Sequence, residues 1–200
     1  MSLGPSRLVG WMSAIILAGT PSLAAQTADS VRVPVSDAGV LRATAIVNDV
    51  FVDRRTGAGA VGGADWTAYL MARLGVRPIP SLPSMAVSVD SSGIVLASRI
   101  GDLPKETRVE LGPMVGFLDP ATPISALITL SQAGPEAVRF HLQTVNIAGF
   151  AVPEPFLQPY LAGVGQRYPA LTSSGRDLLV QIPPNGRVAL GADSIHLSLP

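Results

Sequence analysis

Along this chain the spacing of apolar side chains switches between the strand and helix periods, and the switches mark out its elements. Met85, Val87 and Val89 alternate with small or polar residues, Asp90-Ser91-Ser92-Gly93 has turn chemistry, and Ile94, Leu96 and Ile100 resume in phase. That pattern predicts a β-hairpin. Residues 124–130 and 138–147 predict two more strands, joined through Gln132-Ala133-Gly134-Pro135. In the second of them Phe140 and Leu142 are out of phase with Val145 and Ile147, which predicts a β-bulge. Leu178, Val180 and Ile182, then Val188 and Leu190, then Ile195, Leu197 and Leu199 carry a strand-rich pattern to the C-terminus.

Helical spacing occurs twice. Trp66, Tyr69, Leu70 and Leu74 form one stripe, with Asp65 as N-cap and Gly75 as C-cap. After Pro153, Phe156, Leu157, Tyr160, Leu161, Val164 and Tyr168 form another, with Pro159 either in the first turn or marking a later start. Residues 40–52, rich in Val, Ile and Ala, read as a strand leading into Asp53-Arg54-Arg55-Thr56, and residues 57–63 as a loop. Pro78, Pro80 and Pro83 forbid regular structure, and the prolines at 104, 113, 120 and 123 cut residues 102–123 into short pieces. The predicted fold class is α+β, a curved antiparallel β-sheet packed with two amphipathic helices. Tyr69-Leu70 before Val87-x-Val89-x-x-x-Gly93 and Tyr160-Leu161 before Val180-x-Ile182-x-x-x-Gly186 fit a repeated helix-then-hairpin unit. They fit equally a likeness between any two such segments.

The first 25 residues have the three parts of a secretory signal: Arg7 as the early charge, an apolar stretch from Leu8 to Gly19, and the small-residue exit Ser22-Leu23-Ala24-Ala25. Those 12 apolar residues fall short of the roughly 20 that cross a bilayer as a helix. Cleavage after Ala24 or Ala25 is expected, leaving a flexible segment over 26–37 and a single domain over 38–200. The expected location is a bacterial periplasm or exterior, with no transmembrane segment after cleavage.

Removing Arg7 leaves 13 basic against 14 acidic residues, a net charge of about minus one. With Lys105 as the sole lysine, charged residues make up 14% of the chain, against a usual quarter or so. No basic stripe is present to hold nucleic acid. Cysteine is absent, which removes disulfides, thiol chemistry and cysteine metal sites.

Gly57-x-Gly59-x-x-Gly62 has the spacing of a dinucleotide-binding loop. Here Asp53 to Thr56 separate the strand pattern from the glycines and a proline-rich connection follows the helix, so a flexible loop is the expected reading. There is no Gly-x-Ser-x-Gly elbow, no His-Glu-x-x-His and no Asp-x-Asp calcium loop. The two histidines, His141 and His196, sit in strand patterns and are expected on the less buried faces of sheets. Lys105, Glu106, Arg108 and Glu110 form a charge-rich island that reads as a solvated edge. No catalytic residues, metal or cofactor are assigned.

What the chain has in excess is apolar strand surface. Ile94-Val95-Leu96 and Leu127-Ile128 are apolar on both faces, and two helices cover one face only. The other face is then covered by sheet curvature, a partner or an apolar ligand, or else belongs to an ordinary two-layer core.

The order of helix, hairpins, Val145-Asn146-Ile147-Ala148-Gly149-Phe150-Ala151-Val152-Pro153, apolar helix and Ser174-Gly175-Arg176-Asp177-Leu178 resembles the LmeA-like phospholipid-binding proteins and the wider tubular lipid-binding domains. The likeness covers about residues 40–200 and is one of pattern and order. It implies a curved sheet around a long helix with an apolar groove. Carried onto this chain, the ligand-binding residues are Phe150, Phe156, Leu157, Tyr160 and Leu161. The expected function is an exported, non-catalytic module that binds a lipid or other hydrophobic molecule in the cell envelope. The alternatives are an envelope scaffold that engages a protein through an exposed sheet edge, and an unrecognised hydrolase.

Overall fold

The computed structural model describes residues 34–75, 85–103, 108, 116–168, 170–172 and 174–200. The expected leader over 1–25, the polar stretch over 26–33, the prolines at 78, 80 and 83, and Lys105, Glu106 and Glu110 lie outside the described residues.

Ser36 opens helix α1 (Asp37–Val47): its hydroxyl accepts from the Gly39 amide at 3.4 Å, and Asp37 adds negative charge to the first turn. The helix runs on into a single π-helical turn, Asn48–Val52. Residues 40–52 are therefore helical, not the expected strand. The deciding pattern is Gly39, Ala43, Ile46, Val47 and Val50, a three-and-four spacing of small and apolar residues that faces the interior. Val35, just before the helix, is fully buried against Ala64 and Ala68.

Strand β1 (Ala58–Gly62) occupies most of the expected loop and pairs with the last strand, β9 (Ser194–Ser198). Its glycines serve packing: a Cβ on Gly59 would lie 2.7 Å from Ile46 Cγ2 and 3.0 Å from Val50 Cγ2. Helix α2 (Gly63–Arg73) starts earlier than expected, with Gly62 as N-cap and Asp65 in the first turn. Asp65 instead receives both arms of Arg42 from α1, at 2.8 and 2.6 Å. Gly75, at φ +85°, follows the C-cap Leu74 as the sequence predicts.

Six antiparallel strands form the larger sheet. In order across it are β2 (Ala86–Asp90), β3 (Gly93–Arg99), β4 (Pro123–Gln132), β5 (Ala137–Ile147) and the two-residue β6 (Phe150–Ala151). β7 (Asp177–Gln181) shares the far edge of β5 with β6, pairing with residues 137–141 while β6 pairs with 146–147. The expected hairpin is β2–β3, its turn held by Asp90 Oδ1, which accepts the amides of Ser92 at 2.7 Å and Gly93 at 3.2 Å. The expected bulge is present too: Leu127 faces Thr144 and Ile128 faces Leu142, leaving Gln143 unpaired. β8 (Arg187–Leu190) pairs with β9, completing a small sheet in the order β1-β9-β8. Because β7 joins β5 and β8 joins β9, the second helix-then-hairpin unit does not form.

Helix α3 (Glu154–Arg167) carries Pro159 in its interior, not in its first turn. The architecture is thus α+β with antiparallel strands, as expected. The described residues hold three α-helices rather than two, and a second, smaller sheet. One core joins α1, α2, the small sheet and one face of the large sheet. At its centre the Trp66 ring lies 5.2 Å from Tyr69 and 5.8 Å from Phe140, among Val61, Ile94, Val138, Ile195 and Leu197.

Candidate functional site

Residues directly opposite each other in an antiparallel pair point to the same side of the sheet, so the registers assign the large sheet's two faces. One face carries cross-strand rows of apolar side chains. Leu130, Phe140 and Leu178 form a row; Val89, Ile94, Ile128 and Leu142 the next; then Val87, Leu96, Ala126 and Val145; and finally Ser98, Ile124, Ile147 and Phe150. The opposite face carries Ala97, Ser125 and Asn146, then Thr129, His141 and Asp177, and Ser131 beside Arg139. The apolar runs through Ile94–Leu96 and Leu127–Ile128 put only the Val95–Leu127 pair on that side. At Val95 and Leu127 these strands are apolar on both faces, as expected; along the rest of the sheet the excess is concentrated on one face.

Burial is uneven along that face, and Ile100, just past Ser98 at its far end, is only 2% exposed. Phe140 is 3% exposed and Ile94 1% where α2 and the small sheet cover them. Leu96, Ala126, Val145, Ile124 and Ile147 are only half-buried. At the end of the last row Phe150 is 78% exposed, and Phe156, in the first turn of α3, is 62% exposed. A phenylalanine left in water forgoes most of the roughly 1.5–3 kcal/mol that burial would contribute.

α3 starts where β6 ends and returns the chain to β7, across the interval that these two strands leave on the edge of β5. Residues 142–145 of β5, at the bulge, lie in that interval. There the Leu142 amide donates to Arg176 O at 2.9 Å, and the Val152 amide donates to Val145 O at 2.8 Å. The helix is seated on the loop before β7. Gly175, at φ +69°, lies directly under the Leu161 carbonyl, and Arg176 pairs with Glu154 at 3.2 Å.

Of the five residues expected to bind ligand, Phe150 lies in β6 and Phe156, Leu157, Tyr160 and Leu161 lie on α3. Phe150 and Phe156 are exposed, Leu157 and Tyr160 half-buried, and Leu161 buried at 4%. Burial, with Tyr168 nearby, pushes the Tyr160 phenol above its ordinary value. Ile124, Ala126, Val145 and Ile147, the half-buried stretch of that apolar face, are not among the ligand-binding residues expected from the sequence. Their alternation in phase with Ile128 and Phe150 is the signal that finds them once the registers are known.

Other candidate chemistry lies apart. His141 Nδ1 is 2.8 Å from Asp177 Oδ1 on the polar face, as expected for the less buried side. His196 is on the small sheet, exposed, with Nε2 3.3 Å from Ser194 Oγ. Among the described residues no group of three or more acidic, histidine or cysteine side chains could hold a metal ion. No described helix is long and apolar enough to cross a membrane. A cleft of about 660 Å³ opens at the opposite end of the large sheet, between the β4–β5 turn (Gln132, Gly134, Pro135) and β8 (Arg187, Val188, Ala189). A second of about 450 Å³ adjoins it at Asn185 and Pro200.

No family model, no curated protein and no solved structure matches the chain.

Proposed function

We propose that this chain is an exported, non-catalytic lipid-binding module. The acyl chain lies in a furrow floored by Ala126, Val145, Ile124 and Ile147 and bordered by α3. The observation that carries this reading is the apolar row Ile124, Ile147 and Phe150, which lies beyond the core around Phe140 and ends in a phenylalanine 78% exposed. An ordinary two-layer core ends in polar residues; here the apolar rows continue past it. Each acyl methylene removed from water contributes about 0.8 kcal/mol before ordering costs. Apolar contact of this kind selects by length and shape, not by charge.

Native mass spectrometry of the purified protein tests the reading. Co-purifying lipid is expected, and Ile147→Glu, which places a charge on the floor, should abolish it. Thr144→Glu, on the opposite face of the same strand, should leave it intact. A lipid-free parent protein, or equal loss in both variants, would refute the furrow.

A scaffold reading draws on one specific feature. Among the described residues β8 pairs with β9 alone, so its outer edge borders the 660 Å³ cleft. An extended peptide could add there as a strand. A β8 proline that left lipid unchanged but released a bound protein would favour that reading.

A further inference from the structure

Three of the chain's five phenylalanines are exposed: Phe117 at 89%, Phe150 at 78% and Phe156 at 62%. They come from separate segments, yet the backbone gathers them at one end of the large sheet. The Ile100 amide donates to Thr122 O at 3.0 Å and the Gly101 amide to Pro120 O at 2.8 Å, fixing the segment that follows Phe117. The Ala148 amide donates to Pro123 O at 2.9 Å, fixing the β5–β6 turn that precedes Phe150. Phe117 and Phe150 are thereby held at the same end of the large sheet, and Phe156 follows six residues after Phe150, in the first turn of α3.

We propose that this end of the sheet docks on a zwitterionic lipid surface, the three rings entering the boundary between headgroups and acyl chains. The inference rests on the lipid-binding reading and names the surface from which the furrow is loaded.

Two features select the occupant. The first is area: at about 150–250 Å² per phenylalanine ring, these three present on the order of 450 Å². That marks an interaction site, yet it is near half of the roughly 800 Å² per partner that a stable protein interface takes. A bilayer boundary has no such threshold, because each ring enters it separately. The second is charge. The charged groups that the described contacts tie to this end are Arg99, Asp102, Asp119 and the Glu154–Arg176 pair. Among the described residues these hold no cationic excess, which favours a zwitterionic over an anionic leaflet.

The test is co-sedimentation of the exported protein, purified after leader cleavage, with phosphatidylcholine vesicles. The parent chain should sediment with them, and Phe117→Ser/Phe150→Ser/Phe156→Ser should lower the bound fraction by on the order of tenfold. Phe117→Ser alone, outside the furrow, should lower it severalfold and leave co-purified lipid in place. Since ring insertion is not screened, binding should hold from about 0.05 to 0.5 M NaCl. Equal sedimentation of parent and triple variant, no sedimentation of the parent, or steep loss with salt would each overturn the proposal. So would a dimer in light scattering that the triple variant dissolves, which would make a second copy the occupant. Lipid in the native mass spectrum without vesicle docking sinks the docking alone. Docking without co-purified lipid sinks the furrow reading alone.

Discussion

The Gly57-x-Gly59-x-x-Gly62 motif yields the sharpest physical prediction, because a phosphate cradle and a packing contact make opposite demands on the same glycines. A cradle needs all of them bare. Packing needs only the one that touches something, and here that is Gly59. An alanine Cβ would meet Ile46 Cγ2 at 2.7 Å and Val50 Cγ2 at 3.0 Å, against an optimal carbon–carbon separation of about 3.5–4.0 Å. Overpacking of this kind costs about 1–3 kcal/mol, and the stiffer unfolded chain returns about 0.4–1 kcal/mol. Gly59→Ala should therefore destabilise by about 1–2 kcal/mol. Gly62 has nothing within 4 Å of its Cβ position and a φ of −60° that alanine adopts freely. There the poorer N-cap and the stiffer unfolded chain offset each other, so Gly62→Ala should lie within about 0.5 kcal/mol of the parent. Urea unfolding followed by circular dichroism measures both, and Ile46→Ala combined with Gly59→Ala should cost less than the two single changes added. Equal midpoints for the Gly59 and Gly62 variants would show that the contact of β1 with α1 is misjudged.

Phe140→Ala, which empties the space beside Trp66, should cost about 3–5 kcal/mol; a loss below about 1.5 kcal/mol would mean the core can collapse around it. Gly175→Ala adds a Cβ in a left-handed conformation directly against the Leu161 carbonyl. It should release α3 from the loop before β7, seen as faster amide exchange in α3 with β2–β5 unchanged; unaltered protection in α3 would contradict the seating described. Ser92's hydroxyl, then its amide, holds the Asp90 carboxylate below its ordinary value. The turn's contribution is therefore complete above the unfolded value near 3.9 and is lost as pH falls through the lower folded value. An NMR titration that placed Asp90 at or above the ordinary carboxylate value would remove that contribution.

Where neighbouring residues decide an element, the sequence was legible. The β2–β3 hairpin follows from alternation around Asp90-Ser91-Ser92-Gly93, and the β5 bulge from a phase slip between Leu142 and Val145. α2 ends at Leu74 because Gly75 takes the left-handed conformation. Each depends on chemistry within a few positions along the chain. Residues 40–52 misled because valine and isoleucine favour strands by packing, not by an intrinsic backbone preference. Set against α2 and β1, the same side chains pack as a helix.

The chain by itself determined the class of elements, the scarcity of charge and the surplus of apolar strand positions. Only the tertiary structure decided which side of the sheet those positions share and where α1, α2 and the small sheet stop covering them. Strand registers join residues tens of positions apart, such as Ile124 with Ile147 and Phe140 with Leu178. No local period encodes those pairings, yet they are what place Phe150 and Ile147 in one row and leave the polar His141 and Asp177 on the other face.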